Sequence, residues 1–243
     1  MTNLNNLCKV YFGHNYCATC SHFDLKRAQK NNPVETKEHS FKFIIVGKNH
    51  TGKSSIIRRY VDGLFTDYYK ITMGVDFALK VINWDAKTTI KLQLWDVQGQ
   101  DFNEKMTHVY FKDAVGAFVV YDVTDVKTFE STKMWKEDID KKVFLPDGCK
   151  IPVVLLANKC DKAKVGNHNS PEYLDNYIQD NGYIKWFETS AKTGINIDKA
   201  FRSLVEEVYE SSDKSDKKET TDTENIKLND TSEKDVTKSS CCF

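Results

Sequence analysis

The sequence predicts an α/β fold: a doubly wound, mostly parallel sheet of six strands with one antiparallel edge strand, covered by helices. Two nearly continuous apolar runs, at 115–121 and 151–157, are typical of parallel strands that are buried on both faces. A segment with helical spacing, 128–143, lies between them. Because strands that alternate with helices usually pair in parallel through crossovers, this order favours a doubly wound sheet.

The other elements follow from the same kinds of pattern. Ser170-Pro171-Glu172 is a helix start, because it combines a capping hydroxyl, a proline in the first turn and an early acidic residue. In chain order, the patterns also locate strands at 41–46, 75–84 and 89–95 and helices at 55–61 and 197–209; the sixth strand is not located by these patterns.

We expect residues 40–210 to form one domain with a tail on each side. Residues 1–39 have no sustained periodicity, which predicts a flexible extension. Beyond Glu210 the chain is rich in Lys, Asp, Glu, Ser and Thr and poor in apolar residues. Residues 211–243 are therefore predicted to form a disordered linker, since such a composition cannot offset the entropy of ordering.

Composition excludes several classes of protein. The 243 residues carry 35 Lys and Arg against 35 Asp and Glu, which argues against a general nucleic-acid binder. Seven cysteines in a chain of this length do not indicate a disulfide framework, so we expect reduced thiols and a cytosolic pool. We read no secretory signal in the polar first ten residues and no apolar run of about 20 residues, so any membrane contact would need an anchor.

The octapeptide 47–54, Gly-Lys-Asn-His-Thr-Gly-Lys-Ser, follows the first strand and precedes the first helix. This pattern in this context is typical of a loop whose backbone N–H groups, together with the helix N-terminus, bind nucleotide phosphates. We expect Lys53 to reach the β- and γ-phosphates. The predicted phosphate-loop residues are Gly47, Asn49, His50, Thr51, Gly52, Lys53, Ser54 and Ser55.

A second set of residues is placed to act at the γ-phosphate. The Ser54 hydroxyl, Thr72 before the second strand and Asp96 directly after the third are candidate Mg²⁺ ligands. The Gly99 N–H is expected to contact the γ-phosphate. Gln100 is the candidate catalytic residue, since its side chain can orient the attacking water.

A third set points to guanine. In Asn158-Lys159-Cys160-Asp161, the carboxylate of Asp161 can accept hydrogen bonds from guanine N1–H and its exocyclic amine, a pair of donors that adenine lacks. An ATP-using kinase or transporter ATPase is the alternative with which this residue conflicts. The other candidate base-binding residues are Asn158, Lys159, Ser190, Ala191, Lys192 and Phe65, whose ring can cover the edge of the base.

Taken together, these segments resemble the G domain of Ras-like small GTPases, and within them the Rab family. The Rab signal lies in Met73-Gly74-Val75-Asp76-Phe77 and in the two-cysteine ending, Cys241-Cys242-Phe243. The branch most similar in sequence is the one that serves lysosome-related organelles and phagosomes. The segments that carry this similarity are 77–81, 93–96, 112–118, 155–161 and 186–192.

The resemblance implies a membrane-anchored switch in vesicle trafficking that binds GTP or GDP with Mg²⁺ and hydrolyses GTP slowly. Its implied partners are effectors at the switch loops 66–74 and 99–107, an exchange factor, a GTPase-activating protein, and a GDP-dissociation inhibitor or Rab escort protein. The implied location is the cytoplasmic face of an endosomal, phagosomal or lysosome-related membrane. Phe77, Trp95 and Tyr110 would form the effector face, with plain sheet packing as the alternative.

Three residues depart from the family pattern where hydrolysis takes place. Asn49 and His50 are bulkier than usual in the phosphate loop, and Gln98 replaces the usual Ala before Gly99. One hypothesis is slow hydrolysis, which would favour a mostly GTP-bound scaffold that recruits effectors; the other is that the loops tolerate these side chains. The retained residues Gln100 and Thr72 favour the timed switch.

Both tails carry cysteines. The family resemblance implies that Cys241 and Cys242 receive prenyl groups, and two such chains give stable anchoring. In the N-terminal extension, a Cys17-x-x-Cys20 pair flanked by His14 and His22 suggests zinc. Because only one such pair is present, a disordered or partner-binding arm is the alternative there.

Overall fold

The computed structural model describes residues 36–68, 71–99 and 104–222, and within these it leaves out the side chains of 104–107 and 214–222. The strands are β1 (Lys37–Val46), β2 (Val75–Asn83), β3 (Thr88–Val97), β4 (Gly116–Asp122), β5 (Val153–Asn158) and β6 (Lys185–Thr189). The helices are α1 (Lys53–Asp62), α2 (Glu104–Phe111), α3 (Val126–Lys142), α4 (Pro171–Asn181) and α5 (Ile197–Asp222).

The strands form one six-stranded sheet in the order β2-β3-β1-β4-β5-β6. All neighbouring pairs are parallel except the edge strand β2, which runs antiparallel to β3 with Val75 opposite Val97. This confirms the predicted fold class. Strands β4 and β5 are buried along their whole length, as their continuous apolar sequences predicted.

Each face of the sheet carries its own hydrophobic core. Alternation along β1 sends Phe43 and Ile45 to the core beneath α1 and α5, and Ile44 and Val46 to the core on the opposite face. All four side chains are fully buried. Since parallel strands end at the same edge, this packing brings the loops after β1, β3, β4 and β5 together at the carboxyl edge of the sheet.

Helix starts follow their sequence signals. The Asp125 side chain caps α3 by accepting from the Lys127 N–H, and Ser170 caps α4 by accepting from the Tyr173 N–H, with Pro171 in the first turn. Gly182 ends α4 in the left-handed conformation, at φ 68°. The predicted start of α4 is therefore confirmed.

Two elements extend past the predicted bounds of the domain. Strand β1 begins at Lys37, inside the extension predicted to end at residue 39, because its N–H bonds to the Lys87 carbonyl (2.7 Å) and extends the pairing with β3. Helix α5 continues to Asp222 although a disordered linker was predicted from Ser211. Residues 211–222 contain no Gly or Pro, and extending an existing helix adds a hydrogen bond per residue without a new nucleus.

Several predictions concern residues outside the described part of the chain. These are Gln100, the cysteines Cys241 and Cys242, and the Cys/His cluster between 8 and 22. Within the described residues, no helix has both the length and the apolar character required to cross a membrane.

A buried histidine links the fold to pH. His168, in a short 3₁₀ helix at Asn167–Asn169, stacks on Phe129 with ring centroids 4.4 Å apart. Its Nε2 is buried and has no hydrogen-bond partner among the described residues. Burial lowers the pKa of His168, and the charge of Glu130 opposes that shift only in part.

We expect this histidine to make stability fall as pH drops. Below the ordinary histidine pKa of about 6.5, the unfolded chain binds a proton that the folded protein resists, so unfolding becomes more favourable down to the lowered folded pKa. A His168→Leu variant should lose this component. Urea unfolding at pH 7, 6 and 5, at saturating nucleotide, gives the free energy of unfolding of both proteins at each pH. The same change of that free energy with pH in the wild type and the variant would contradict the expectation.

Candidate functional site

A cleft of about 330 Å³ opens at the carboxyl edge of the sheet, a volume that suits a small ligand. It is lined by residues from the loops after β1, β3, β5 and β6, from α1, and from the loop before β2. The predicted site residues on its wall are Asn49, His50, Gly52, Lys53, Ser54, Ser55, Phe65, Thr72, Gly99, Asn158, Lys159, Asp161, Ala191 and Lys192. Gly47, Thr51, Asp96 and Ser190 are not on this wall and support it through the contacts described below.

The phosphate loop is held tightly against the sheet. A Cβ added at Gly47, where φ is 138°, would meet the Val120 carbonyl oxygen at 2.2 Å, so this position requires glycine. The buried Lys53 ammonium donates to the carbonyls of Gly47 (2.9 Å) and Lys48 (3.1 Å). Burial lowers the pKa of Lys53 to about 8 even though Asp96 raises it. A bound anion would favour the charged form of this lysine.

Ser54, Thr72 and Asp96, the candidate metal ligands, meet at one point. The Ser54 and Thr72 hydroxyls both donate to Asp96 Oδ2, the latter at 3.0 Å, and lie 3.0 Å from each other. Burial raises the pKa of Asp96, while the hydrogen bonds and the charge of Lys53 oppose that shift.

The same three residues fit a divalent cation. Asp96 Oδ1 is buried without a hydrogen-bond partner among the described residues. Two hydroxyls and a carboxylate with an unused oxygen are the hard oxygen donors that Mg²⁺ prefers.

Asn158, at the end of β5, joins the phosphate loop to the loop after β6. Its Nδ2 donates to the Thr51 carbonyl (2.7 Å), and its Oδ1 accepts from the Ala191 N–H (3.3 Å). The side chain is buried. A Cβ at Gly52, where φ is 96°, would lie 2.4 Å from Asn158 Nδ2, so the close approach of the two loops requires glycine there.

Asp161 lines the opposite end of the cleft, and Ser190 supports it from behind. Asp161 Oδ1 accepts from the Ser190 hydroxyl (2.6 Å), and Ser190 Oγ in turn accepts from the Thr193 N–H (3.1 Å). These bonds fix the direction of the carboxylate. Phe65 is half-buried and lines the cleft, with the Arg59 guanidinium 6.0 Å from its ring centroid.

Sequence reasoning missed two residues that support this end. Arg59, on α1, donates to the carbonyls of Ala191 (2.8 Å) and Lys192 (2.7 Å), far away in the chain. Asp122, at the end of β4, pairs with Lys159 at 2.6 Å. Although burial raises the pKa of Asp122, hydrogen bonds from Lys159 and Thr124 lower it overall. Asp122 could have been found from the sequence, because it is a polar residue at the end of a buried strand. No sequence feature indicated the role of Arg59.

The three departures from the family pattern occupy two different places. Asn49 and His50 line the cleft, and His50 has φ 65°, a left-handed conformation that costs energy for any residue but glycine. Gln98 Oε1 instead accepts from the Gly74 N–H at 2.7 Å. Gly99 lies against the phosphate loop, where a Cβ would meet the Gly47 carbonyl oxygen at 2.5 Å.

Comparison with known proteins agrees with this geometry. The Ras family model matches residues 42–210, most of the chain. The chain belongs to the Ras family. Members of that family are GTPases, so this Ras-family protein is an enzyme that binds GTP and GDP and converts GTP to GDP and phosphate.

The relatives place this Ras-family protein among the Rab GTPases. It is 50% identical to human Ras-related protein Rab-32 over 208 residues, which are 86% of this chain and 92% of the relative. It is 52% identical over 182 residues to Rab-32A of Dictyostelium discoideum, which are 73% of this chain and 83% of the relative. It is 41% identical to human Rab-7L1 over 177 residues, which are 73% of this chain and 86% of the relative.

Proposed function

We propose that this Rab GTPase is a membrane-anchored switch in vesicle trafficking. The observation that carries the proposal is the meeting of Ser54, Thr72 and Asp96. These residues come from α1, from the loop before β2 and from the end of β3. A nucleotide state sensed at this point would therefore change the order of two surface loops, as in switch proteins generally.

Each part of the cleft has a proposed task. The loop N–H groups, the N-terminus of α1 and Lys53 bind the phosphates. Ser54, Thr72 and Asp96 would hold Mg²⁺, which when bound would neutralise phosphate charge. The Gly99 N–H contacts the γ-phosphate, and Gln100 orients the attacking water.

Guanine selection is assigned to Asp161, supported by its fixed direction in the cleft. Its carboxylate accepts from guanine N1–H and the exocyclic amine, and it would stay unpaired beside adenine. The base-binding end is completed by Lys159, Ser190, Ala191, Lys192 and Phe65. The reading as an ATP-using enzyme is thereby disfavoured.

An Asp161→Asn variant tests this assignment, because it keeps an oxygen acceptor for Ser190 but changes the groups offered to the base. Affinity for GTP should fall about 100-fold or more, the loss of two hydrogen bonds to a charged group. Xanthosine triphosphate, which has an oxygen in place of the exocyclic amine, should gain affinity. Competition assays with GTP, ATP and the xanthine nucleotide measure this, and an unchanged preference for GTP would refute the assignment.

The effector surface is proposed to lie on the outer face of β2 and β3. Phe77 and Trp95 pack edge to face with centroids 5.9 Å apart, and the Lys42 ammonium lies 3.9 Å above the Trp95 ring. Phe77 and Leu79 are about half exposed. This apolar surface adjoins both switch loops and suits effectors; exchange factors, GTPase-activating proteins and a GDP-dissociation inhibitor or escort protein are the other proposed partners.

Slow hydrolysis is supported by the left-handed His50 and by the position of Asn49 in the cleft wall. Side chains there would compete for space with the attacking water or with an arginine supplied by an activating protein. If turnover is slow enough, the second candidate function follows: a mostly GTP-bound scaffold that recruits effectors.

Single-turnover hydrolysis of preloaded GTP decides between the two functions. We expect the wild type to hydrolyse more slowly than about 10⁻⁴ s⁻¹, the lower range of an unaided small GTPase, and an Asn49→Gly, His50→Gly double variant to be faster. Gln100→Leu in each background is the control that should abolish turnover. A wild-type rate of about 10⁻³ s⁻¹, unchanged in the double variant, would leave the timed switch as the function.

Anchoring is proposed through prenyl groups on Cys241 and Cys242. Two chains give stable attachment where one short chain is marginal. The similarity to Rab-32 and Rab-7L1 supports an endosomal, phagosomal or lysosome-related membrane, with the protein on its cytoplasmic face.

Replacing both cysteines by serine should move the protein from the membrane fraction to the supernatant. Mass spectrometry of the C-terminal peptide from the membrane-bound pool should show two added prenyl groups. Two unmodified thiols in that pool would refute the anchor.

A further inference from the structure

Gln98 extends the ladder between β2 and β3 with its side chain. Its backbone N–H donates to the Gly74 carbonyl (2.8 Å), one residue beyond the Val75–Val97 pair. The Gly74 N–H donates to Gln98 Oε1 (2.7 Å). In an antiparallel pair the two residues of such a rung exchange two bonds. Here one of the two is made to the side-chain amide.

This rung joins the two switch loops close to the residues that are proposed to contact the metal ion and the γ-phosphate. Thr72, which bonds to Asp96, lies two residues before Gly74. Gly99, which lies against the phosphate loop, directly follows Gln98. Fixing Gly74 to Gln98 therefore restricts how far Thr72 can move from Asp96 and how far Gly99 can move from the phosphate loop.

We propose that Gln98 is a positioning residue that clamps the two switch loops together and thereby slows nucleotide release. The proposal rests on the roles given above to Thr72 and Asp96. The side chain of Ala, the usual residue at this place, has no acceptor, so only the backbone carbonyl could accept from the Gly74 N–H there. The clamp is therefore a property of this chain, and it acts on nucleotide retention rather than on the hydrolytic step.

The test compares two glutamines of the same region. Gln98→Met keeps the length of the side chain and removes the acceptor. Gln93→Met is the matched control, because Gln93 lies on β3 and its amide donates to the Ser40 hydroxyl (3.1 Å), away from the switch loops. Gln98→Glu restores an acceptor and serves as the rescue.

Two quantities are measured on the full chain loaded with a fluorescent GDP analogue and Mg²⁺. Hydrogen exchange at the Gly74 amide, followed by NMR, should be about 2- to 12-fold faster in Gln98→Met, the range expected for one hydrogen bond. The analogue should dissociate faster by a similar factor. Gln93→Met should change neither rate, and Gln98→Glu should keep Gly74 protected.

The outcomes separate cleanly. Faster exchange together with faster release supports the clamp. Unchanged exchange at Gly74 would overturn it, as would faster exchange with an unchanged release rate, since Gln98 would then bond to Gly74 without restraining the nucleotide. If the wild type failed to retain a guanine nucleotide, that result would count against the proposed function. Hydrogen exchange at the Gly74 amide would still report on the hydrogen bond between Gly74 and Gln98.

Discussion

The architecture of the cleft depends on one buried amide, that of Asn158. The loops after parallel strands meet at one edge of the sheet, and side chains as well as backbone groups must hold them to each other. An amide side chain carries both a donor and an acceptor, so Asn158 can bond to the Thr51 carbonyl on one side and to the Ala191 N–H on the other. The phosphate-binding and base-binding ends of the cleft thereby keep a fixed separation.

The electrostatics of the cleft are complete only with a ligand. Burial disfavours the charged forms of both Lys53 and Asp96, shifting their pKa values in opposite directions. Lys53 bonds to two backbone carbonyls, and one oxygen of Asp96 has no partner among the described residues. A phosphate group beside the lysine and a cation beside the carboxylate would each offset one of these penalties. With the Mg²⁺ site proposed above, the cleft would favour a nucleotide and a metal ion together over either alone.

How much the sequence predicted depended on how local each signal was. The continuous apolar sequences of β4 and β5 fixed the parallel sheet, because burial on both faces leaves no polar alternation. The octapeptide at 47–54 and Asp161 indicated the site, because their chemistry is contained in a few neighbouring residues. Helix caps such as Ser170 were equally local.

Other features were not local and could not be predicted. Arg59 reaches the loop after β6 across 132 residues of chain, a contact that only the packing of α1 on that loop creates. The start of β1 at Lys37 depends on its partner β3 rather than on its own polar sequence. The sequence showed Gln98 only as a departure that could slow hydrolysis, and it gave no sign that the side chain accepts from the Gly74 N–H.

The length of α5 bears on the membrane attachment proposed above. A helix of 26 residues is about 39 Å long, and its last turns project beyond the residues that pack on the sheet. A flexible coil of the same composition would limit only the maximum distance between the domain and the end of this segment. A helix also sets a direction, since each residue added or removed turns everything that follows by about 100° around the axis. With the anchor proposed above, a residue inserted into α5 would therefore turn the proposed effector surface relative to the membrane as well as change its distance from it.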